Sequence, residues 1–413
     1  MAVINEQSKF EADANVVGSM IASISLLSEY KYSITIYDVG NGSIWDITKV
    51  TTNFTLTSQR LNSATALNLE YLLDEMETPP FEEGACVTIL INGMIIFIGY
   101  VFTTSRDRWG VCRITAYDSI RYLKNPVMIF KQAGYDGNLI MKEAAQQCGV
   151  TLNLNIKSDY SWGSKPYIEY SKSALDIITE ILERSVVSGN TDEAFTMQAD
   201  YKTGGMTVAI NPASKNKKRC IIGDKSLLTN ISIERSIDNE WANSYLVVYD
   251  RGIGKEPKVG REARNELSIL RRGLVRQVLE TDQQMFLNIA THKFGAKPSD
   301  SSKEAEEKNK STYEKTMAEM DKWTSDGGHF YNEMVYKLSI DCLGFLGVRA
   351  GDYIKLEIKG FEAVRGDGKV LQNYVLLDTV THQFSEGVHT MRLDAQVNVP
   401  DIGQVGPPMD YKG

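Results

Sequence analysis

Two stretches of this chain, far apart in sequence, carry the same alternation of apolar residues. Gly84 is followed by Val87, Ile89, Ile91 and Gly93, and Gly351 by Ile354, Leu356, Ile358 and Gly360, at a constant offset of 267 residues. Upstream at the same offset, Leu67, Leu69, Tyr71 and Leu73 fall opposite Met334, Tyr336, Leu338 and Ile340, and Asp74 opposite Asp341. Downstream the match loosens, with Val111 to Ala116 after Gly110 and Val388 to Ala395 after Gly387. Successive side chains on a strand point to opposite faces, so equal parity across two strands and their connection implies that the same faces are buried. The repeat constrains the chain to build one small β unit twice. In that reading the five paired positions from Gly84 to Gly93 and from Gly351 to Gly360 are structural, the apolar ones forming each core and the glycines its turns.

Around the repeat the pattern changes several times. Residues 1–30 read as an N-terminal arm. Residues 31–130, rich in short alternating runs such as Tyr32 to Ile36 and Val87 to Ile91, read as a first β-barrel, completed by 206–250. Residues 131–205 read as an α/β module. Asn138 to Cys148 fits a helix ended by Gly149, and Ser173 with Asp176 three places on opens another. Residues 251–296 read as a connecting helical segment, 327–399 as a second β-barrel and 400–413 as a loose C-terminal tail. The insert 297–326 is almost free of apolar groups in its first half. It reads as a solvated helix or loop outside any core, so that 300–322 should be dispensable for folding. A sharper reading makes Met317, Met320 and Trp323 a face for docking a partner. The fold class expected is mainly β (β+α), with two small barrels in a pseudo-repeat around the α/β module.

Composition narrows the function. Across 413 residues the formal charge is −8, which argues against general binding to nucleic acid or to an anionic membrane. The five cysteines, Cys86, Cys112, Cys148, Cys220 and Cys342, are scattered and odd in number, as expected of free thiols in a chain made in a reducing cytoplasm. The N-terminus lacks the basic start and apolar core of a secretory signal. The longest apolar stretch, Val87 to Phe102, is broken by Asn92 and Gly93 and falls short of the ~20 residues a membrane helix needs, so no membrane anchor is expected.

Chemistry is sparse. No phosphate-binding loop, zinc-protease or nucleophile-elbow motif occurs, and Gly252-Ile-Gly254 reads as a turn. His382 and His389 face each other across a predicted hairpin, where hydrogen bonding to nearby groups is a better reading than metal ligation. No catalytic, cofactor-binding or metal site is expected, and the chain reads as non-enzymatic.

Five stretches together carry a resemblance. They are Phe81-Glu-Glu-Gly84; Ile114-Thr-Ala-Tyr117-Asp118 running into Arg121-Tyr-Leu-Lys-Asn125; Ile222-Gly-Asp224 through Thr229; Val348-Arg-Ala-Gly-Asp352; and Thr381-His-Gln-Phe384 with His389-Thr-Met391. In this order and spread, the chain resembles the baseplate hub proteins of the XkdQ/YqbQ type from prophages and phage-tail-like bacteriocins. The resemblance implies a homotrimer whose two barrels per subunit make a pseudo-six-fold ring between a six-fold tail tube and a three-fold spike. It implies as partners the tail tube or tube-initiator protein, the spike, other baseplate proteins and the tape-measure protein. The alternatives are a tail-associated cell-wall hydrolase and a tail-tip carbohydrate-binding protein.

Overall fold

The computed structural model describes residues 30–73, 81–156, 161–162, 167–187, 195–236, 241–250, 259–282, 317–357, 374–400 and 404–411. Positions 39, 41, 133–134, 204–205, 224–226, 319, 330 and 386 fall outside that description. The first repeat unit contains β1 (Tyr32–Tyr37), β2 (Ile44–Asp46), β3 (Thr51–Gln59), β4 (Ala66–Leu72), β5 (Cys86–Ile91), β6 (Met94–Arg106) and β7 (Val111–Tyr117). Alternation shapes it: Leu67, Leu69 and Tyr71 on β4 and Val87, Ile89 and Ile91 on β5 all turn into one core.

An α/β module follows. It holds β8 (Ile129–Lys131), β9 (Tyr135–Asp136), helix α1 (Gly137–Gln147), β10 (Thr151–Leu154), β11 (Ser161–Trp162), β12 (Tyr167–Glu169), helix α2 (Ala174–Val187), β13 (Phe195–Ala199) and β14 (Thr207–Pro212). Both helices start where side chains can cap them. The Asp136 carboxylate accepts the Asn138 N–H at 2.9 Å, and the Ser173 hydroxyl accepts the Asp176 N–H at 3.1 Å. Their apolar faces, Ile140, Met141 and Ala144 on α1 and Ile177, Ile178 and Ile181 on α2, share one buried core with Val208 and Ile210 of β14.

The second repeat unit is assembled from β15 (Lys217–Gly223), β16 (Leu228–Ser236), β20 (Glu333–Leu343), β21 (Tyr353–Glu357), β22 (Tyr374–Ser385) and β23 (Val388–Pro400). Between β16 and β20 the chain leaves to form β17 (Ser244–Asp250), β18 (Val259–Arg264), helix α3 (Glu266–Arg272) and β19 (Arg276–Asp282); with β24 (Met409–Tyr411), which follows β23, these strands make a four-stranded sheet ordered β19-β17-β18-β24.

Several expectations are corrected. Residues 206–250 do not complete the first unit: β14 enters the module, β15 and β16 enter the second unit, and β17 lies in the small sheet. The segment 251–296 contributes β18 and β19 besides its helix, and the tail contributes β24. Neither unit closes into a barrel among the described residues. Instead the two join in one 13-stranded sheet. The insert is not all solvent-facing. Residues 320–329 are helical, and Met320 and Trp323 are buried with Tyr245 and Val247 of β17, with Met317 packed against them. The side chains read as a possible docking face therefore complete the chain's own core, and deletion through residue 322 would remove part of it.

Truncating Trp323 to Ala should lower stability by roughly 3–5 kcal/mol, the usual cost of removing a buried large aromatic side chain. Urea unfolding of W323A beside the parent measures it, and an unchanged midpoint would return the segment to the solvated class.

Candidate assembly seam

The two units share one strand order. Reading outward, the first runs β3-β4-β7-β6-β5-β1 and the second β16-β20-β23-β22-β21-β15. Every pairing is antiparallel in both except the last, where β1 runs antiparallel to β5 and β15 parallel to β21. The backbone hydrogen bonds fix the correspondence residue by residue. The Gly84 N–H donates to the Val101 carbonyl at 2.7 Å, as Gly351 does to Leu377 at 2.7 Å; the return bonds are Val101 to Ala85 at 2.9 Å and Leu377 to Asp352 at 3.0 Å. Gly84 and Gly351 hold φ values of +93° and +88°, a region that L side chains avoid, so the matching glycines serve a matching turn. Val87 and Ile354, and Ile89 and Leu356, are buried in the two cores. Ile91 is buried and Gly93 turns the β5–β6 hairpin, whereas their partners Ile358 and Gly360 lie outside the described residues.

Upstream the register differs from the constant offset. Val101 faces Ala116 and Ala116 faces Leu67; Leu377 faces Ala395 and Ala395 faces Leu338. Leu67 therefore corresponds to Leu338, not Met334, and Glu70 to Asp341. The connection before Gly84 is longer than that before Gly351 by four residues, an even number that leaves the alternation unchanged and hides the slip from sequence parity. With this register, two irregularities coincide. Both units shift register after Val101 and Leu377, and both after Thr51 and Leu228. Beside the latter, Thr52 donates to the Glu70 carbonyl and Asn53 to its carboxylate, while Thr229 and Asn230 do the same to Asp341. The Thr-Asn pair at 52–53 and 229–230 is a signal in the sequence that the parity reading missed.

The units meet at a seam. Strand β22 outruns β21, and its outer half pairs with β3 from Thr379 opposite Gln59 to Ser385 opposite Asn53. Phe384 crosses into the first unit's core and stacks on Phe54 at 4.4 Å between ring centroids. The hydroxyls of Thr57 and Thr381 lie 3.3 Å apart. Arg60 closes the end, its guanidinium 2.8 Å from Asp378 and also donating to the Phe195 carbonyl of the module. The resemblance motifs gather around this seam and its supports. Asp118, fully buried, accepts the N–H groups of Thr65 and Ile120, capping the turn after β7 and holding the start of β4. Asp352 accepts the Arg349 N–H at 2.8 Å and faces Lys218 at 3.5 Å. Burial pushes both carboxyls up, to about 6, against hydrogen bonds and cations that lower them.

His382 and His389 belong to the seam. His382 Nε2 lies 2.8 Å from the Val348 carbonyl, so that nitrogen carries the proton; its Nδ1 then accepts from His389 Nε2 at 3.0 Å. His389, stacked on Phe384 at 4.0 Å, is left with a buried Nδ1 that has no hydrogen-bond partner among the described residues. Among the described residues no group of three or more His, Cys, Asp or Glu could hold a metal ion.

The comparisons agree with this architecture. A family model described as YQBQ-like matches residues 54–309 and 303–396. The chain belongs to the YQBQ-like family. No curated protein matches it. Its fold is that of prophage tail proteins: it aligns with a 43 kDa tail protein of prophage MuSo2 from Shewanella oneidensis at TM-score 0.55 and 12% identity, over 88% of this chain and 98% of that one. A tail protein from Neisseria meningitidis aligns at 0.53 and 12%, over 89% and 97%, and the prophage tail protein gp18 from Listeria monocytogenes at 0.50 and 9%, over 88% and 94%.

Loss of water around the rings depresses both histidines, His382 to about 4 and His389 further because His382 lies beside it. An unfolded histidine binds its proton near pH 6.5, so the stability these rings contribute is full above that pH and is lost as pH falls toward the folded values. Between pH 7.5 and 5 the parent should therefore lose more stability than a His389→Gln variant, by about 2 kcal/mol for 1.5 pH units. Urea unfolding at both pH values checks this. The difference between proteins isolates the histidine from Asp118 and Asp352, whose raised carboxyls act in the opposite sense. Equal losses would show that the pair does not sense pH.

Proposed function

We propose that the chain is a structural, non-enzymatic subunit of the baseplate hub of a phage tail or phage-tail-like bacteriocin. Three copies form a ring that adapts a six-fold tail tube to a three-fold spike. The observation that carries the reading is the shared strand order of the two units, with shared bulges and a shared Thr-Asn contact. A chain built this way presents two similar sheets per copy, so three copies offer six similar edges to a six-fold partner and three whole chains to a three-fold one. Cyclic closure also leaves no copy with an unused interface. Family membership and the fold of prophage tail proteins support a place in the tail. The partners in this reading are the tube or tube-initiator protein, the spike, neighbouring baseplate proteins and the tape-measure protein. The domain plan it uses is two repeat units flanking the α/β module, with the small β17–β19 sheet as an appendage.

Native mass spectrometry of the purified protein should give three times the 46.2 kDa chain mass. A monomer or dimer at every concentration tested would contradict the ring.

A further inference from the structure

Beside the point where the described chain begins lies a largely apolar groove. Leu56, His382 and Phe384 of the seam line it, together with Met94 and Ile95 of β6 and Leu346 from the loop after β20. Its volume is about 120 Å³. An apolar cavity of ~150 Å³ can hold a benzene ring, so the groove has room for one branched or aromatic side chain. Arg349, the one charged side chain that lines it, lies over the Tyr201 ring at 4.5 Å, which leaves an apolar occupant as the better match. Met94 and Ile95 are 56% and 41% exposed on its open side.

The chain enters here. The Tyr30 ring lies 6.0 Å from that of His389, which stacks on Phe384. Asn92, in the turn between β5 and β6, clamps the entry point. Its side chain accepts the Lys31 N–H at 3.0 Å, and its own N–H donates to the Lys31 carbonyl at 2.9 Å. It does so with φ at +51°, a conformation that asparagine adopts more readily than most residues. The entering chain is thus fixed close to Met94, two residues beyond the clamp.

The sequence before Tyr30 suits the groove. Residues 1–29 lie outside the described residues, and from Asn15 to Ser28 none carries a charge. Ile36, Ile34, Tyr32 and Tyr30 all pack on the first core. Carrying that parity backwards along an extended chain puts Ser28, Leu26 and Ile24 on the same face. Leu26 stands four residues before Tyr30, a reach of roughly 13 Å in a strand.

We propose that residues 24–27 of the N-terminal arm lie along this groove, with Leu26 seated in it and Ile24 over Met94. The arm then covers the apolar surface of the β5–β6 turn and shields His382 and Phe384 of the seam from water. The strap belongs to the single chain and does not depend on the ring.

Methionine oxidation in the full chain tests it. Dilute hydrogen peroxide converts an accessible thioether to the sulfoxide, and peptide mass spectrometry reads each site. Met128, 64% exposed on the module, is the internal reference. In the parent, Met94 should react more slowly than Met128. Leu26→Asp, and a chain lacking residues 1–28, should oxidise Met94 about tenfold faster with Met128 unchanged, since an unpaired carboxylate in an apolar groove shifts docking by at least that factor. Ser25→Asp, on the opposite face, should react as the parent does. Circular dichroism of all four chains should agree, so that loss of fold does not stand in for exposure. A Met94 rate equal in the parent, the deletion and Leu26→Asp overturns the strap, as does a Ser25→Asp rate equal to that of Leu26→Asp. Leu26→Cys with Leu346→Cys fixes the chain of origin. A disulfide within one chain is expected; a two-chain band on a non-reducing gel would give the groove to the arm of another copy and overturn the assignment.

Discussion

The pairing of β22 with β3 is the contact on which the rest of the structure depends. A strand longer than its neighbour exposes a row of backbone donors and acceptors that must find partners. By giving that row to β3, the chain turns two separate sheets into one. What surrounds the seam serves to fix it: the Phe54–Phe384 stack fills it, Arg60 ties its end to Asp378 and the module, and the Val348–Asp352 turn lies against it through the Ala350 N–H, which donates to Ser58.

The α/β module acts as a wedge between the units. Its β13 touches both sides: the Met197 N–H donates to the Arg60 carbonyl near the first unit, and the Gln198 side chain donates to the Ala350 carbonyl in the second. In the most specific stretch of the family resemblance, Ala116-Tyr117-Asp118 and the turn after it, Asp118 holds the fold together. Asp118 is spent on capping and on anchoring β4, with its carboxyl held among buried groups. The histidines are spent in the same way. Their hydrogen-bonded pair sits under Phe384, tied to the Val348 carbonyl.

Much of this was legible in the sequence where the signal was local. Alternation in Val87-Thr-Ile89-Leu-Ile91, the cap at Ser173 and the turn glycines at Gly84 and Gly351 all report their own surroundings. Long-range partnership was not. The even slip that moves Leu67 from Met334 to Leu338 preserves parity, so no alternation argument could detect it; only the bulges and the Thr52-Asn53 and Thr229-Asn230 pairs mark the true register. The destination of residues 206–250 was equally hidden, because a strand's sequence states which face is buried but not which neighbour it takes. Trp323 was misread because its polar flanks dominate the local composition, while a short helix needs only three apolar residues to close a small core.

The account stands on the claim that the chain is one sheet plan used twice. A cryo-electron-microscopy reconstruction of the purified assembly tests this most directly. The account predicts three chains, six sheet units related by near-six-fold symmetry, and Leu67, Gly84 and Val101 superimposing on Leu338, Gly351 and Leu377. A particle with another number of chains, or one in which the two units take unrelated positions around the axis, would contradict it.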